Sequence, residues 1–347
     1  MKKPLFTAKS AFLTLFLTVF ISFLGFAKPT QEEAVANEEH ATEVEPFNAG
    51  EVIIEHVMDA HQWHLTDHVV IPLPIIVYSS EKGLDIFSSS HFYNERHEPV
   101  EFNGYKLEEN HIVLVGSEES VFDFSITKNV AMLFINATLL LVVFLSVASS
   151  YKKNANKAPK GLQSFIEPIV VFVRDEIVKP NIGHHYQKYL PYLLTLFFFI
   201  LFGNLLGLLP GAGNLTGNIA VTFVLAIFTF LITNLNGNAS YWKHIFWTPG
   251  VPLPLRIIIL PVEIIGIFTK PFSLTIRLFV AITAGHIVLL SLLCLTFIFP
   301  FYSVGIGASL IVLFINLIEL LVAGIQAYVF TLFTALYIGM ATAEDHH

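Results

Sequence analysis

Five apolar runs, at 129–149, 190–209, 218–235, 275–299 and 305–340, constrain this chain more than any other feature. A helix on the surface of a soluble domain needs only one apolar stripe, whereas these runs are apolar all round and need lipid or protein on every side. At 1.5 Å per residue the first run covers about 31 Å, the thickness of a bilayer's hydrocarbon core. The last would extend about 54 Å as one helix, so it must tilt steeply, break or leave the membrane. Composition agrees, since 54% of the 347 residues are hydrophobic and only 13% are charged, which excludes an ordinary soluble domain. The expected fold is an all-α polytopic membrane protein with five membrane-embedded helices, the last two long and strongly tilted. Between the third and fourth runs, residues 251–272 are apolar but carry Pro252, Pro254, Pro261 and Pro271, which predicts a helical hairpin or a re-entrant segment.

The part before the first run is of another kind. Lys2, Lys3 and Lys9 precede an apolar stretch from 11 to 26, with Gly25 and Ala27 as small residues before a cut after Ala27, the layout of a signal peptide over residues 1–27. Residues 28–126 then hold 20 of the 27 acidic residues and 4 of the 19 basic ones, so the front is acidic and the membrane-embedded remainder basic. Residues 31–45 read as an acidic linker. Apolar positions at helical spacing over 51–68, followed by β-rich pieces at 69–78, 84–87 and 111–115, predict a small exported α+β domain that ends near Ile126. The membrane domain is then 127–347.

Orientation follows from the lysines and arginines. Lys152, Lys153, Lys157, Lys160, Arg174, Lys179 and Lys188 all lie between the first and second runs and predict a cytoplasmic loop there. The first domain is then outside, and five spans leave the C-terminus in the cytoplasm. The single cysteine, Cys294, sits inside an apolar run and supports neither a disulfide nor a thiolate cluster.

Ionisable residues inside spans are costly and are functional candidates by default. They are few here: Arg277, His286 and Glu319 in the last two runs, with the amide of Gln326 two turns beyond Glu319 on the same face, and Glu263 in the proline-rich segment. Arg277 keeps its proton, so it can be a fixed positive charge but no link in a proton relay; snorkelling to the cytoplasmic interface is the alternative. His286 and Glu319 can both change protonation near neutral pH, as a half-channel requires, or they can simply tie two helices together. His61, His64 and His68 recur at i, i+3 and i+7 and would share a helix face. Without a cysteine or a second cluster the set is closer to solvated surface histidines than to a zinc or copper site. Trp242, Lys243, His244 and Trp247 read as interface anchors.

The run Lys270-Pro-Phe-Ser-Leu-Thr-Ile-Arg277-Leu-Phe, continuing to Thr283-Ala-Gly-His286, resembles the arginine-bearing helix of F-type ATP synthase subunit a. Phe202-Gly-Asn-Leu-Leu-Gly-Leu-Leu-Pro210, Glu263 ahead of the arginine, and Glu319 through Gln326-Ala-Tyr to Tyr337 resemble three further signatures of that family, in order. The resemblance implies a non-catalytic, proton-translocating stator subunit of an F-type ATP synthase in a bacterial inner membrane. Its implied partners are a c-subunit ring, a b-subunit peripheral stalk and the rest of the complex, in a lipid bilayer; neither a cofactor nor nucleic acid is implied. By the same resemblance Arg277 faces the ring carboxylate with Gln326 beside it, His286 and Glu319 line the outer half-channel, and Glu263 the cytoplasmic one. Many bacterial relatives carry the acid and the imidazole exchanged between these two helices. Ala281 departs from the pattern, where relatives commonly have Asn.

Two other classes compete. In a proton-coupled secondary transporter Arg277 would bind an anionic substrate and the prolines would mark a broken helix, but no inverted repeat is visible. In an interaction protein the spans would only anchor the exported domain, and five spans with an embedded arginine exceed that need.

Overall fold

The computed structural model describes residues 50, 58–66, 69–80, 82–94, 100–108, 111–115, 121–153, 158–209, 211–247, 252–298 and 302–343. The expected signal peptide at 1–27, the acidic linker at 31–45 and His68 lie outside the described residues. The chain divides into a unit of residues 1–48 and a unit of residues 49–347, and everything below concerns the second.

Its first part is built from short strands. β1 (Gln62–Thr66) pairs antiparallel with β2 (Val69–Pro72). β3 (Pro74–Ser79) lies between β4 (Gly83–Ser88) and β7 (Phe122–Asp123), while β5 (Tyr105–Glu108) and β6 (His111–Leu114) form a hairpin. Alternation sets the faces: Ile75 and Val77 of β3 point inward and are fully buried, joining Phe92, Tyr105, Ile112 and Leu114 in one core. Phe87 packs on this core edge-on to Phe92, with ring centroids 5.4 Å apart.

Residues 51–57 and 67–68 lie outside the described residues, but over 62–66 the expectation of a helix is corrected, because Gln62–Thr66 is a strand. Trp63, His64 and Thr66 suit a strand better than a helix, and their register partners Ile71, Val70 and Val69 offer the ladder. His61, just before the strand, is 4% exposed and shares a 3.0 Å hydrogen bond through Nε2 with Asp123. His61 and His64 therefore do not line a helix face. Among the described residues no group of three or more His, Cys, Asp or Glu is placed to hold a metal ion.

The remainder is helical: α1 (Lys128–Lys153), α2 (Leu162–Phe172), α3 (Lys179–Ile182), α4 (Tyr186–Gly207), α5 (Ile219–Leu235), α6 (Ala239–Phe246), α7 (Leu253–Ile298) and α8 (Tyr302–Thr342). Among the described residues four helical stretches are long and apolar enough to cross a membrane, and α5 with α6, bent by 101° at their junction, adds a fifth when counted as one span. Asn236, Gly237 and Asn238 make that bend. A Cβ at Gly237 would stand 2.7 Å from the Tyr241 ring, so glycine is what lets the chain turn there.

The expected break at 251–272 does not occur. α7 runs through Pro261 and Pro271 for 46 residues. In lipid an apolar helix tolerates a proline that would break it in water, because the freed backbone groups are re-satisfied by neighbours or local adjustment. The broken element is instead the α5–α6 pair. Between α2 and α3, residues Val173–Val178 adopt a π-helix ahead of Pro180, which lacks the N–H that a regular helix would use.

The last helix is clasped at its C-terminal end. Gly339 lies directly against the backbone carbonyl of Asn181, leaving no room for a Cβ. Asn238 donates its backbone N–H to the Ala341 carbonyl (2.8 Å) and its side-chain amide to the Thr342 carbonyl (2.9 Å), satisfying groups that a helix end leaves open. The core around α4 joins Leu193, Phe197 and Phe198 to Leu274 and Leu278 of α7 and Phe330 and Ile338 of α8.

Candidate functional site

α7 and α8 pack side by side and carry all five membrane candidates, Glu263, Arg277 and His286 on α7 and Glu319 and Gln326 on α8. On α8, Glu319 and Gln326 are seven residues apart, and Phe333 follows after seven more, so all three share one face. On α7, Arg277 precedes Gly285 by eight residues, about 12 Å of helix.

Glu319 is 8% exposed, and its carboxylate lies against Gly285, where a Cβ would stand 2.7 Å from Oε1. Glycine is thus the residue that makes room for the acid. Its Oε2 is buried with no hydrogen-bond partner among the described residues. His286, half-buried, is the residue next to that glycine, and the residue that the carboxylate meets is Gly285.

Arg277 is placed by an aromatic ring. Its guanidinium carbon lies 4.3 Å from the centroid of Phe333, close enough for a cation–π interaction that holds a charge without a counter-ion. One turn further along α8, Tyr337 faces Lys270 of α7 in the same way at 5.4 Å. The helices therefore carry two cation-over-ring contacts in succession, at Arg277 and Lys270. Phe333 was missed as a functional position because a phenylalanine in an apolar helix carries no signal of its own.

Glu263 is not brought to this pair. It lies two turns before Lys270 on α7, within electrostatic reach of both Lys270 and Tyr241. Nearby, Thr229, Thr233 and Asn234 of α5, Tyr241 of α6, Lys270 of α7 and Tyr337 of α8 line a crevice among the four helices. The candidates thus fall in two places, Glu319 with His286 in one and Glu263 in the other, with Arg277 between them along α7.

The glycine-asparagine motif of α4 has a visible role. Asn204 donates from Nδ2 to the Ala323 carbonyl of α8 (3.1 Å), one turn from Glu319, and accepts from the Thr216 hydroxyl (2.6 Å). At Gly203 a Cβ would meet Asn136 of α1 and Leu215 at 3.3 Å each, and Asn136 donates to the Phe199 carbonyl (3.0 Å). The motif ties α1, α4 and the α4–α5 connection to the helix that bears Glu319.

A model of the ATP synthase A chain family matches residues 130–339, from the start of α1 almost to the end of α8. The chain belongs to the ATP synthase A chain family. It is 50% identical over 238 residues to ATP synthase subunit a 2 of Chlorobaculum tepidum, covering 66% of this chain and 67% of that protein. It is 49% identical over 232 residues to ATP synthase subunit a of Chloroherpeton thalassium, covering 65% and 69%. The subunit a of Pelodictyon phaeoclathratiforme aligns at 40% identity over 333 residues, 94% of this chain and 84% of the relative, a span that takes in the β-rich part as well. Residues 52–133 also match a domain of unknown function. Family membership and the apolar helices make this a multi-pass membrane protein of the ATP synthase membrane sector, in the process of proton transport coupled to ATP synthesis.

Proposed function

We propose that the chain is the stationary proton-conducting subunit of the complex, set against a rotating ring of c subunits and held by a b-subunit stalk, with no catalytic reaction of its own. The observation that carries this reading is the buried Glu319 carboxylate seated on Gly285, one residue from His286, in the same helix pair that holds Arg277 on Phe333.

A proton entering from outside passes His286 and Glu319 and neutralises a carboxylate on the ring, which then turns into lipid. After the ring's rotation the proton leaves by a cytoplasmic path through the crevice near Glu263. Arg277 stands between the two paths. Because it keeps its proton, it cannot relay one, and its charge favours ionisation of any ring carboxylate that comes opposite. Gln326, on the stripe between Glu319 and Phe333, offers amide contacts beside that meeting point. The driving force is about 2.3 kcal/mol per proton for each 100 mV.

In this reading residues 1–27 are a signal peptide, residues 28–126 lie outside the membrane and the C-terminus is cytoplasmic. α8, 41 residues and about 62 Å long, then lies steeply tilted against a hydrocarbon layer of about 30 Å. The deciding experiment is Arg277→Ala in the native complex. The complex is expected to assemble and retain ATP hydrolysis while losing proton-driven ATP synthesis, and normal synthesis in a fully assembled variant overturns the assignment.

A further inference from the structure

We propose that the base of the β-rich part is the outer mouth of the proton path, a hydrated vestibule at His61 and Gln62 that feeds a buried polar seam leading to Glu319. This rests on the proton-conducting reading above and adds an entry site to it.

Residues 60–63 are wedged between two parts of the helical body. The Ala60 carbonyl accepts the backbone N–H of Lys128, the first residue of α1 (2.9 Å), and Trp63 donates from Nε1 to the Gly211 carbonyl in the α4–α5 connection (2.6 Å). His61 and Gln62 sit between these anchors, both buried, and each keeps one polar atom, Nδ1 and Oε1 respectively, without a hydrogen-bond partner among the described residues. Two such atoms on adjacent residues, at the junction of a surface segment and a membrane body, are the signature of bound water.

Below them polar groups continue where lipid-compatible packing needs none. Asn129 is buried one residue into α1, with its backbone N–H held by Asp59 (3.1 Å) and its side-chain oxygen 3.3 Å from where a side chain at Gly213 would begin. Two turns deeper on the same face, Asn136 is fully buried with its Oδ1 unpartnered among the described residues. Asn214 and Thr216 lead from the connection to Asn204, and Asn204 to the Ala323 carbonyl, one turn from the unpartnered Oε2 of Glu319.

His61, Gln62, Asn136 and Glu319 thus present unpartnered buried atoms in order from the outer end of α1 to the acid. Such atoms are costly to leave dry, and a file of bound water would satisfy all four. The asparagines hold water and do not titrate. Asp123, Asp59 and Lys128 are the charged groups around this mouth, and the acidic balance of residues 28–126 attracts protons to it.

The test uses the assembled complex in inverted vesicles, with Gln62→Cys and Asn136→Cys made separately and silver ion as the probe, since it blocks a pore at a thiol that water reaches. Cys294, the native cysteine, is buried. ATP-driven proton pumping by both variants is expected to fall severalfold on addition of silver, each measured against its own untreated rate, with the parent complex unchanged. Sensitivity at 136 without sensitivity at 62 means that water enters elsewhere and overturns the inference; so does insensitivity at both. Asn129→Cys provides the same measurement if either variant assembles poorly. Normal coupled synthesis in Arg277→Ala sinks the proton-conducting reading instead, whatever silver does.

Discussion

The β-rich part and the α7–α8 pair handle charge in opposite ways. In the first, polar groups meet one another: His61 bonds Asp123 at 3.0 Å, Lys106 and Glu108 pair at 2.6 Å, and the Tyr105 hydroxyl donates to Asp85 at 2.9 Å. In the second, an acid rests on a glycine and an arginine on a phenylalanine ring. Near water a charge is inexpensive and a partner adds modest stability; inside a membrane a charge is costly and is retained for what it does. Among the described residues neither Glu319 nor Arg277 has an ionic partner, which in the proposed function would keep both available to a partner that comes and goes.

The most severe way to break this contrast is Glu319→Gln, which keeps shape and removes the titrating group. Proton pumping is expected to fall to background at unchanged assembly, measured as ATP-driven acidification of inverted vesicles, and His286→Ala should slow pumping at every pH tested. Wild-type rates in both would show that the outer path runs elsewhere.

Gly285→Ala sharpens it. The new methyl meets the far end of a flexible side chain, so the fold yields cheaply while the carboxylate is displaced. Pumping should drop by about tenfold to a hundredfold, the usual cost of misplacing a reacting group by about 1 Å, with assembly and melting temperature unchanged.

Phe333→Leu removes the ring beneath Arg277 but keeps apolar bulk. A cation–π contact of about 0.5–2 kcal/mol translates into a loss of about two- to thirtyfold in coupled synthesis. Phe333→Tyr should recover most of it, and equal rates for leucine and tyrosine would reduce Phe333 to packing.

The smallest effect belongs to the paired region. Burial pushes the Asp123 carboxyl up, but the His61 hydrogen bond and those from Ser125 outweigh it, and its pKa lies below the usual carboxylate value. The folded form is therefore favoured fully above about pH 4, and this contribution is lost as pH falls through the depressed value. Asp123→Asn should cost about 1 kcal/mol of local stability after solvent screening, read as faster amide exchange in β3, and should flatten its acid dependence.

Much of this was legible in the chain because lipid imposes a blunt rule: apolar runs long enough to span must be helices, and the few ionisable residues within them stand out. The apolar spans followed from that. Prolines misled, because they break helices in water far more readily than in a membrane helix, and α7 runs through Pro261 and Pro271. The histidines misled because a period of three or four over a short stretch is weak evidence against β-branched and aromatic neighbours that pair with 69–72. Asn136, Asn204 and Gly285 act through residues distant in sequence, and only the fold brings those together.

The clasp at the C-terminal end of α8 has a mechanical meaning. A rotor pressing on a long beam exerts drag along its whole length, and a beam free at both ends would be carried round with it. Gly339 locked on Asn181, with Asn238 holding the Ala341 and Thr342 carbonyls, gives α8 a footing on two separate elements at one end. Under the proposed function, torque on α8 would pass through this footing into the body of the stator.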